Sequence, residues 1–324
     1  MCTAISFKTK SRYFGRNLDL EYRFGEKVVI TPRGYEFALK NGDPFRTVYA
    51  MMGIAAVVDN YPLYAEAANE KGLAIAALNF PNNAKYCYPK SGALNLAQYE
   101  LFPYFLGKYA TVEEVRPIFK KLNITCIPFA EGIPPSPLHW IISDGIDSIV
   151  VEQTESGLKV YDNPIGVLTN NPPFDYHLAN INNYMNLSTH SGENSFCDKL
   201  QLKAYGGGMG AIGLPGDTSS ASRFVRATFN KWNSNCGDSE ECSVSQFFHI
   251  LDSVSMIKGS TYMLNGQSEN TVYSCCINLD TGTYYYKTYD GHGITAVRLT
   301  ETEKNAKELT VFELNENLEF KYMN

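Results

Sequence analysis

Residues 73–78, Leu-Ala-Ile-Ala-Ala-Leu, have no polar face. Side chains of a strand alternate between its two faces, so a strand made of this run must be covered on both sides. That requirement selects a layered fold. Further strands are expected at 27–32, 48–58 and 63–68, with 73–79 following the turn Asn69-Glu70-Lys71-Gly72, where glycine can take a positive φ. At the start, residues 2–8 alternate, with Thr3, Ile5 and Phe7 on one face and Cys2, Ala4 and Ser6 on the other. Residues 12–18 complete a hairpin with them. Helices are expected at 94–107, at 111–122 behind a capping box at Thr111-Val-Glu-Glu114, and at 174–186, 219–232 and 243–256. Pro103 marks a kink or helix start, and Pro117 interrupts the second pattern. Strands return at 138–144, 147–153, 157–162 and 165–169, then at 271–278, 282–289, 294–299 and 308–314. Strands at both ends with helices grouped between them define an α+β chain with segregated layers. No repeat and no linker divides residues 1–324, so one domain is expected.

Charge and composition narrow the function. The 324 residues carry a formal net charge of −6 with no long basic run, which points away from nucleic acid. No window has the apolar length of a membrane span, and Lys8, Lys10, Arg12 and Arg16 are not followed by a secretory apolar core. A cytoplasmic location is the expectation. The eight cysteines form no CxxC, so neither a metal finger nor a disulfide framework is expected in a reducing compartment. Gly208-Met-Gly210-Ala-Ile-Gly213 fits GxGxxG, but Leu214-Pro215-Gly216-Asp217 follows it where a dinucleotide fold needs a helix.

Chemistry concentrates at the start. If Met1 is removed, Cys2 holds a thiol and a free α-amine on the same Cα, a nucleophile with its own base. The amine pKa of about 7.7–8.0 leaves a usable neutral fraction near pH 7. The plainer reading makes Cys2 the second residue of a first strand. Arg16 and Asp19 are three apart and face opposite ways in a straight strand, so service of both to Cys2 would require β-structure to bend or end near Asn17. His139 and His249 read as satisfied core histidines. GxSxG is absent, and none of the five histidines has an obvious cysteine partner. Asn79 and Asn170 end buried strands, as turn residues or as donors aimed at an oxyanion. Arg223 opens a helix where the dipole disfavours a cation; it is a surface arginine or one directed into a site.

In order and spacing, several stretches resemble one family. They are Met1-Cys2-Thr3-Ala4, Phe14-Gly15-Arg16-Asn17-Leu18-Asp19, Asn69-Glu70-Lys71-Gly72-Leu73, Leu78-Asn79-Phe80-Pro81, Leu138-His139-Trp140, Gly166-Val167-Leu168-Thr169-Asn170, Gly213-Leu214-Pro215-Gly216-Asp217 and Ala221-Ser222-Arg223-Phe224. The chain resembles the conjugated bile salt (choloylglycine) hydrolases and penicillin V acylases, which are N-terminal nucleophile hydrolases. The resemblance implies an αββα four-layer sandwich, two stacked antiparallel sheets between helical layers. It implies Met1 removal, Cys2 as nucleophile, Arg16 on the thiol, Asp19 on the α-amine, Asn79 (backbone N–H) and Asn170 (side chain) as oxyanion donors, and Arg223 as supporting charge. It places an apolar substrate pocket at Leu18, Val58, Phe129, Ile133 and Leu138, uses 187–218 for assembly into a homotetramer, and needs no metal or cofactor. Asn79 favours the bile salt branch over penicillin V acylases, and Gly206-Gly207-Gly208 leans towards glycine conjugates. A non-catalytic binding protein on the same fold would lack Cys2, Arg16 or Asp19; all three are present.

Overall fold

The computed structural model describes every residue except Leu264. Its strands run β1 (Cys2–Lys8), β2 (Arg12–Leu20), β3 (Lys27–Thr31), β4 (Glu36–Phe37), β5 (Phe45–Arg46), β6 (Met51–Val58), β7 (Tyr61–Asn69), β8 (Ala74–Asn79), β9 (Leu94–Ala97), β10 (Leu122–Thr125), β11 (Leu138–Ser143), β12 (Ser148–Thr154), β13 (Gly157–Asp162), β14 (Val167–Leu168), β15 (Asn270–Asn278), β16 (Thr283–Thr288), β17 (Thr295–Arg298) and β18 (Thr310–Phe312). The α-helices are α1 (Leu101–Lys108), α2 (Val112–Val115), α3 (Phe174–Asn180), α4 (Ser220–Asn233), α5 (Glu240–Asp252) and α6 (Glu301–Lys304).

Two antiparallel sheets carry the structure. One has the order β14-β1-β2-β15-β16-β17, the other β13-β12-β11-β8-β7-β6-β3-β18. The alternation in β1 is the alternation of layers. Phe7 meets Phe247 of α5 with ring centroids 6.3 Å apart, whereas Ser6 on the opposite face bonds Ser143 of β11 at 2.9 Å. The smaller sheet therefore has α4 and α5 on one side and the larger sheet on the other. The larger sheet alternates in the same way. Ile54, Ala76, Leu78 and Ile141 join the core shared with Phe14, Phe224 and Phe247. Ile75, Trp140 and Ile142 point outward to Phe102, Phe105 and Val112 of α1 and α2. This is the αββα sandwich, and each fully buried Phe or Ile in it contributes roughly 1.5–3 kcal/mol.

Local departures have local causes. The apolar stretch 94–107 splits into β9 and α1, because β9 pairs in parallel with β10. That pairing outweighs helix propensity, and Pro103 falls in the first turn of α1. Thr111 does accept from the Glu114 N–H, yet α2 lasts four residues. It tightens to a 3₁₀ turn at Arg116–Lys120 around Pro117. Residues 165–169 yield only β14, since Gly166 turns with φ +67°. Helix 174–186 ends as α3 and continues as 3₁₀ through Tyr184. Ser239 caps α5 earlier than the apolar pattern suggested. The β4–β5 hairpin and α6 lacked a period long enough to be read. Gly15 permits close contact of β2 and β15: a Cβ there would lie 2.0 Å from the Cys275 carbonyl oxygen.

Candidate active site

β1 and β2 pair with Cys2 opposite Leu18 and Ala4 opposite Arg16, so Cys2, Arg16 and Leu18 share the face towards the larger sheet. Cys2 is buried. Arg16 enters the fork where β7 leaves β8. Its Nη1 donates to Ala65 O at 3.1 Å and to Ala77 O, and its Nε lies 3.9 Å from Glu66 Oε2. Burial works against this charge, but attraction from Cys2, Tyr273 and Glu66 outweighs it and raises the guanidinium above its ordinary range. Nη2 of Arg16 is buried with no partner among the described residues.

Asp19 sits where an uninterrupted strand puts it. β2 continues past Asn17 to Leu20 with unbroken pairing to β1, and Asp19 faces the helical layer, opposite to Arg16. The irregularity lies in the neighbour: β15 bulges between Thr271 and Tyr273, and Thr271 Oγ1 donates to Asp19 Oδ1 at 2.6 Å. Asp19 lies opposite the chain start: Met1 N donates to Asp19 O at 2.7 Å, and Asp19 N donates to Met1 O at 2.9 Å. With Met1 attached, Cys2 N is an amide, and the Met1 ammonium pairs with the buried Glu269. Burial lowers that ammonium's pKa and raises that of Asp19. Asp19 Oδ2 is buried without a partner among the described residues.

The Asn170 carboxamide joins several of these groups. Oδ1 accepts from Cys2 N at 2.7 Å and from Arg223 Nη2 at 2.8 Å. Two donors fix which atom is oxygen. Nδ2 then donates one hydrogen to Asn79 O at 2.8 Å, which leaves a second. Arg223 is fully buried. It donates to Cys2 O, to Thr3 Oγ1 at 2.7 Å and through Nε to Thr218 O at 2.9 Å. The surface reading of Arg223 is thereby excluded. Asn79 lies opposite Leu138, and Phe80 N donates to Pro137 O at 2.7 Å. Narrow and wide pairs alternate in an antiparallel ladder, so the Asn79 N–H points away from β11, on the same side as the Ala77 carbonyl that receives Arg16.

A cavity of about 220 Å³ opens on Cys2, Arg16, Ala77 and Asn79. Leu18, Phe129, Ile133 and Leu138 line it as expected, with Leu20, Tyr22, Phe24, Leu63 and Tyr99 beside them. Val58 is not among its described lining residues; it ends β6 at the turn Asp59-Asn60, while the next strand supplies Leu63 and Tyr64. The missed residues had a signal: Arg16, Leu18, Leu20, Tyr22 and Phe24 continue one alternation past the end of β2. A larger cavity of about 960 Å³ lies elsewhere, against Lys8, Asp162 and Trp232, without Cys2. His139 is a buried histidine as expected, but His249 lies on the exposed face of α5. Among the described residues no group of His, Cys, Asp and Glu could hold a metal ion, and no helix is long and apolar enough to cross a membrane.

Residues 2–312 match the model of the linear amide C–N hydrolases, choloylglycine hydrolase family. The chain belongs to that family. It is 47% identical over 324 residues, the whole of both chains, to bile salt hydrolase/transferase of Lactiplantibacillus plantarum. It is 39% identical to that of Clostridium perfringens, again over both full lengths. A crystal structure of a conjugated bile acid hydrolase variant from C. perfringens superposes with TM-score 0.92 at 39% identity over all of both chains. Penicillin V acylase from Agrobacterium tumefaciens shares the fold, with TM-score 0.76 at 20% identity over 97% of this chain and 92% of that one.

Proposed function

We propose that the chain hydrolyses the amide bond of glycine- or taurine-conjugated bile salts. The observation that carries this is the seat of Cys2: a linear-amide hydrolase places its second residue on the wall of an apolar cavity, beside Arg16 and Asn79. Full-length relatives that are bile salt hydrolase/transferases supply the substrate class. Loss of Met1 frees the Cys2 amine. The unpartnered Asp19 Oδ2 and the Asn170 Oδ1 then stand near the chain start to orient it. The amine takes the thiol proton, and the unpartnered Arg16 Nη2 favours the thiolate. Sulfur attacks the amide carbon. Charge moves to the carbonyl oxygen, which the Asn79 N–H and the second Asn170 Nδ2 hydrogen receive. The ammonium returns its proton to the leaving nitrogen, and glycine or taurine departs. Water, deprotonated by the same amine, cleaves the thioester and restores the thiol.

The cavity is smaller than the roughly 300–1,000 Å³ of common ligand sites. A steroid acid would fill it with the end near its carboxamide and extend past Tyr22 and Phe129. We read residues 1–324 as one hydrolase domain acting in the cytoplasm. Residues 187–218 serve assembly into a homotetramer, supported by the exposure of Phe196 and Tyr205. The test is amine release from glycocholate, taurocholate and penicillin V in parallel, with the N-terminal mass measured on the same sample. Dominant release of glycine or taurine by a chain starting at Cys2 is expected. Faster penicillin V cleavage would overturn the substrate assignment, and no release from any of the three would overturn the hydrolase reading.

A further inference from the structure

β14 is only two residues long, so strand pairing cannot by itself hold the Asn170 carboxamide that follows it. Its backbone is held instead by buried side chains. Asn170 N donates to Ser220 Oγ at 2.8 Å, and Asn170 O accepts from His177 Nε2 at 3.0 Å. One residue earlier, Thr169 O accepts from His139 Nε2 at 2.8 Å.

His139 is the member with a second connection. Its ring stacks on Phe80, centroids 4.2 Å apart and planes 5° off parallel. Phe80 follows Asn79 directly. One imidazole therefore touches the residue after one oxyanion donor and the residue before the other. It is fully buried and is not among the described residues lining the Cys2 cavity.

The protons can be counted. His139 Nε2 faces a carbonyl, which only accepts. His139 Nδ1 faces Glu152 Oε1 at 3.0 Å, and that oxygen also accepts from Phe174 N at 3.0 Å. A neutral imidazole has one N–H and cannot donate to both. Both contacts are hydrogen bonds when the pair shares two protons, as imidazolium with carboxylate or as imidazole with carboxylic acid. In either form Nε2 keeps its hydrogen on Thr169 O. Glu152 thus fixes the ring state that the Thr169 contact requires, as outer partners do for metal-bound histidines.

We propose that His139, held by Glu152, is a positioning residue that sets the distance between the two oxyanion donors, Asn79 N–H and Asn170 Nδ2. This deepens the hydrolase reading and rests on it. A misplacement near 1 Å can cost on the order of 100-fold in rate.

The experiment compares kcat and KM for glycocholate with the rate at which iodoacetamide alkylates Cys2. Alkylation needs the thiolate but forms no oxyanion. His139→Phe preserves the stack on Phe80, and Glu152→Gln beside it avoids stranding a buried charge while still accepting from Phe174 N. The double variant should lose about 10- to 100-fold in kcat, with KM and alkylation within about twofold of wild type. His139→Gln restores a donor towards Thr169 O and should recover much of the loss; His139→Leu with Glu152→Gln serves as the donor-free variant if the phenylalanine double variant does not fold. Unchanged kcat in a folded double variant that lacks the donor overturns the proposal, as does a parallel fall in alkylation. Wild-type protein that alkylates but releases no amine would bring down the hydrolase reading, and this assignment with it.

Discussion

Asn170→Ala is the substitution that most directly tests the site. The side chain makes three bonds, from Cys2 N at 2.7 Å, from Arg223 Nη2 at 2.8 Å and to Asn79 O at 2.8 Å. Arg223 keeps Cys2 O, Thr3 Oγ1 and Thr218 O, so its charge stays compensated. Cys2 N and Asn79 O lose their partner, at roughly 1–3 kcal/mol for each buried group. The sum, about 2–6 kcal/mol, is a large share of the 5–15 kcal/mol typical of native proteins. A lower melting temperature is expected, with the fold retained at 25 °C. The catalytic loss is separate. Removing one oxyanion donor costs about 100- to 1,000-fold in kcat, or about 2.7–4 kcal/mol of barrier. Asn170→Asp retains acceptors for Cys2 N and Arg223 and has no hydrogen for an oxyanion, but it sets a carboxylate oxygen against Asn79 O. Both variants should show the kcat loss by amine release from glycocholate, and both should melt below wild type. A folded Asn170→Asp enzyme within tenfold of wild-type kcat would refute the donor role.

Cys2→Ser should retain the fold by circular dichroism and lose nearly all amide turnover; wild-type-like release would remove Cys2 from the chemistry. Gly15→Ala should destabilise by about 1–3 kcal/mol in urea unfolding, because its Cβ would meet the Cys275 backbone at 2.0 Å and strand atoms cannot swing aside; unchanged stability would contradict the strand spacing. His177 gives a pH signature. Burial lowers its pKa from 6.5 to about 4, with His139 and Arg223 adding to the fall and the bond to Asn170 O opposing it. The unfolded chain therefore binds this proton first as pH drops. The stabilisation is full above pH 6.5 and is lost between there and about pH 4, on the order of 3 kcal/mol. His177→Gln should flatten that part of the stability–pH curve; an unaltered slope would show that His177 does not titrate in this window.

What could be read from the chain was whatever repeats along it. Alternation in β1 and β2 separated Cys2 and Arg16 from Thr3 and Asp19, and the structure keeps that division between sheet and helix faces. Long periodic segments gave most of the two sheets. Short elements were lost where a distant partner decides the backbone: β9 becomes a strand only because β10 lies beside it. The site shows the same limit. Arg223 looked misplaced at a helix start, and only the convergence of α4, β1 and β14 gives it acceptors. His139 read correctly as a buried, satisfied histidine. What it satisfies could not be read, because Glu152, Thr169 and Phe80 come from different parts of the chain. Asp19 is the instructive case. Linear spacing required β2 to bend if Arg16 and Asp19 both address Cys2. The pairing of Met1 with Asp19 removes that requirement, since one residue carries its thiol on one face of the strand and its chain terminus along it. On the proposed mechanism, two groups on opposite faces then address the thiol and the amine separately. A straight strand suffices for an N-terminal cysteine, whereas a cysteine within a chain would need a separate base residue.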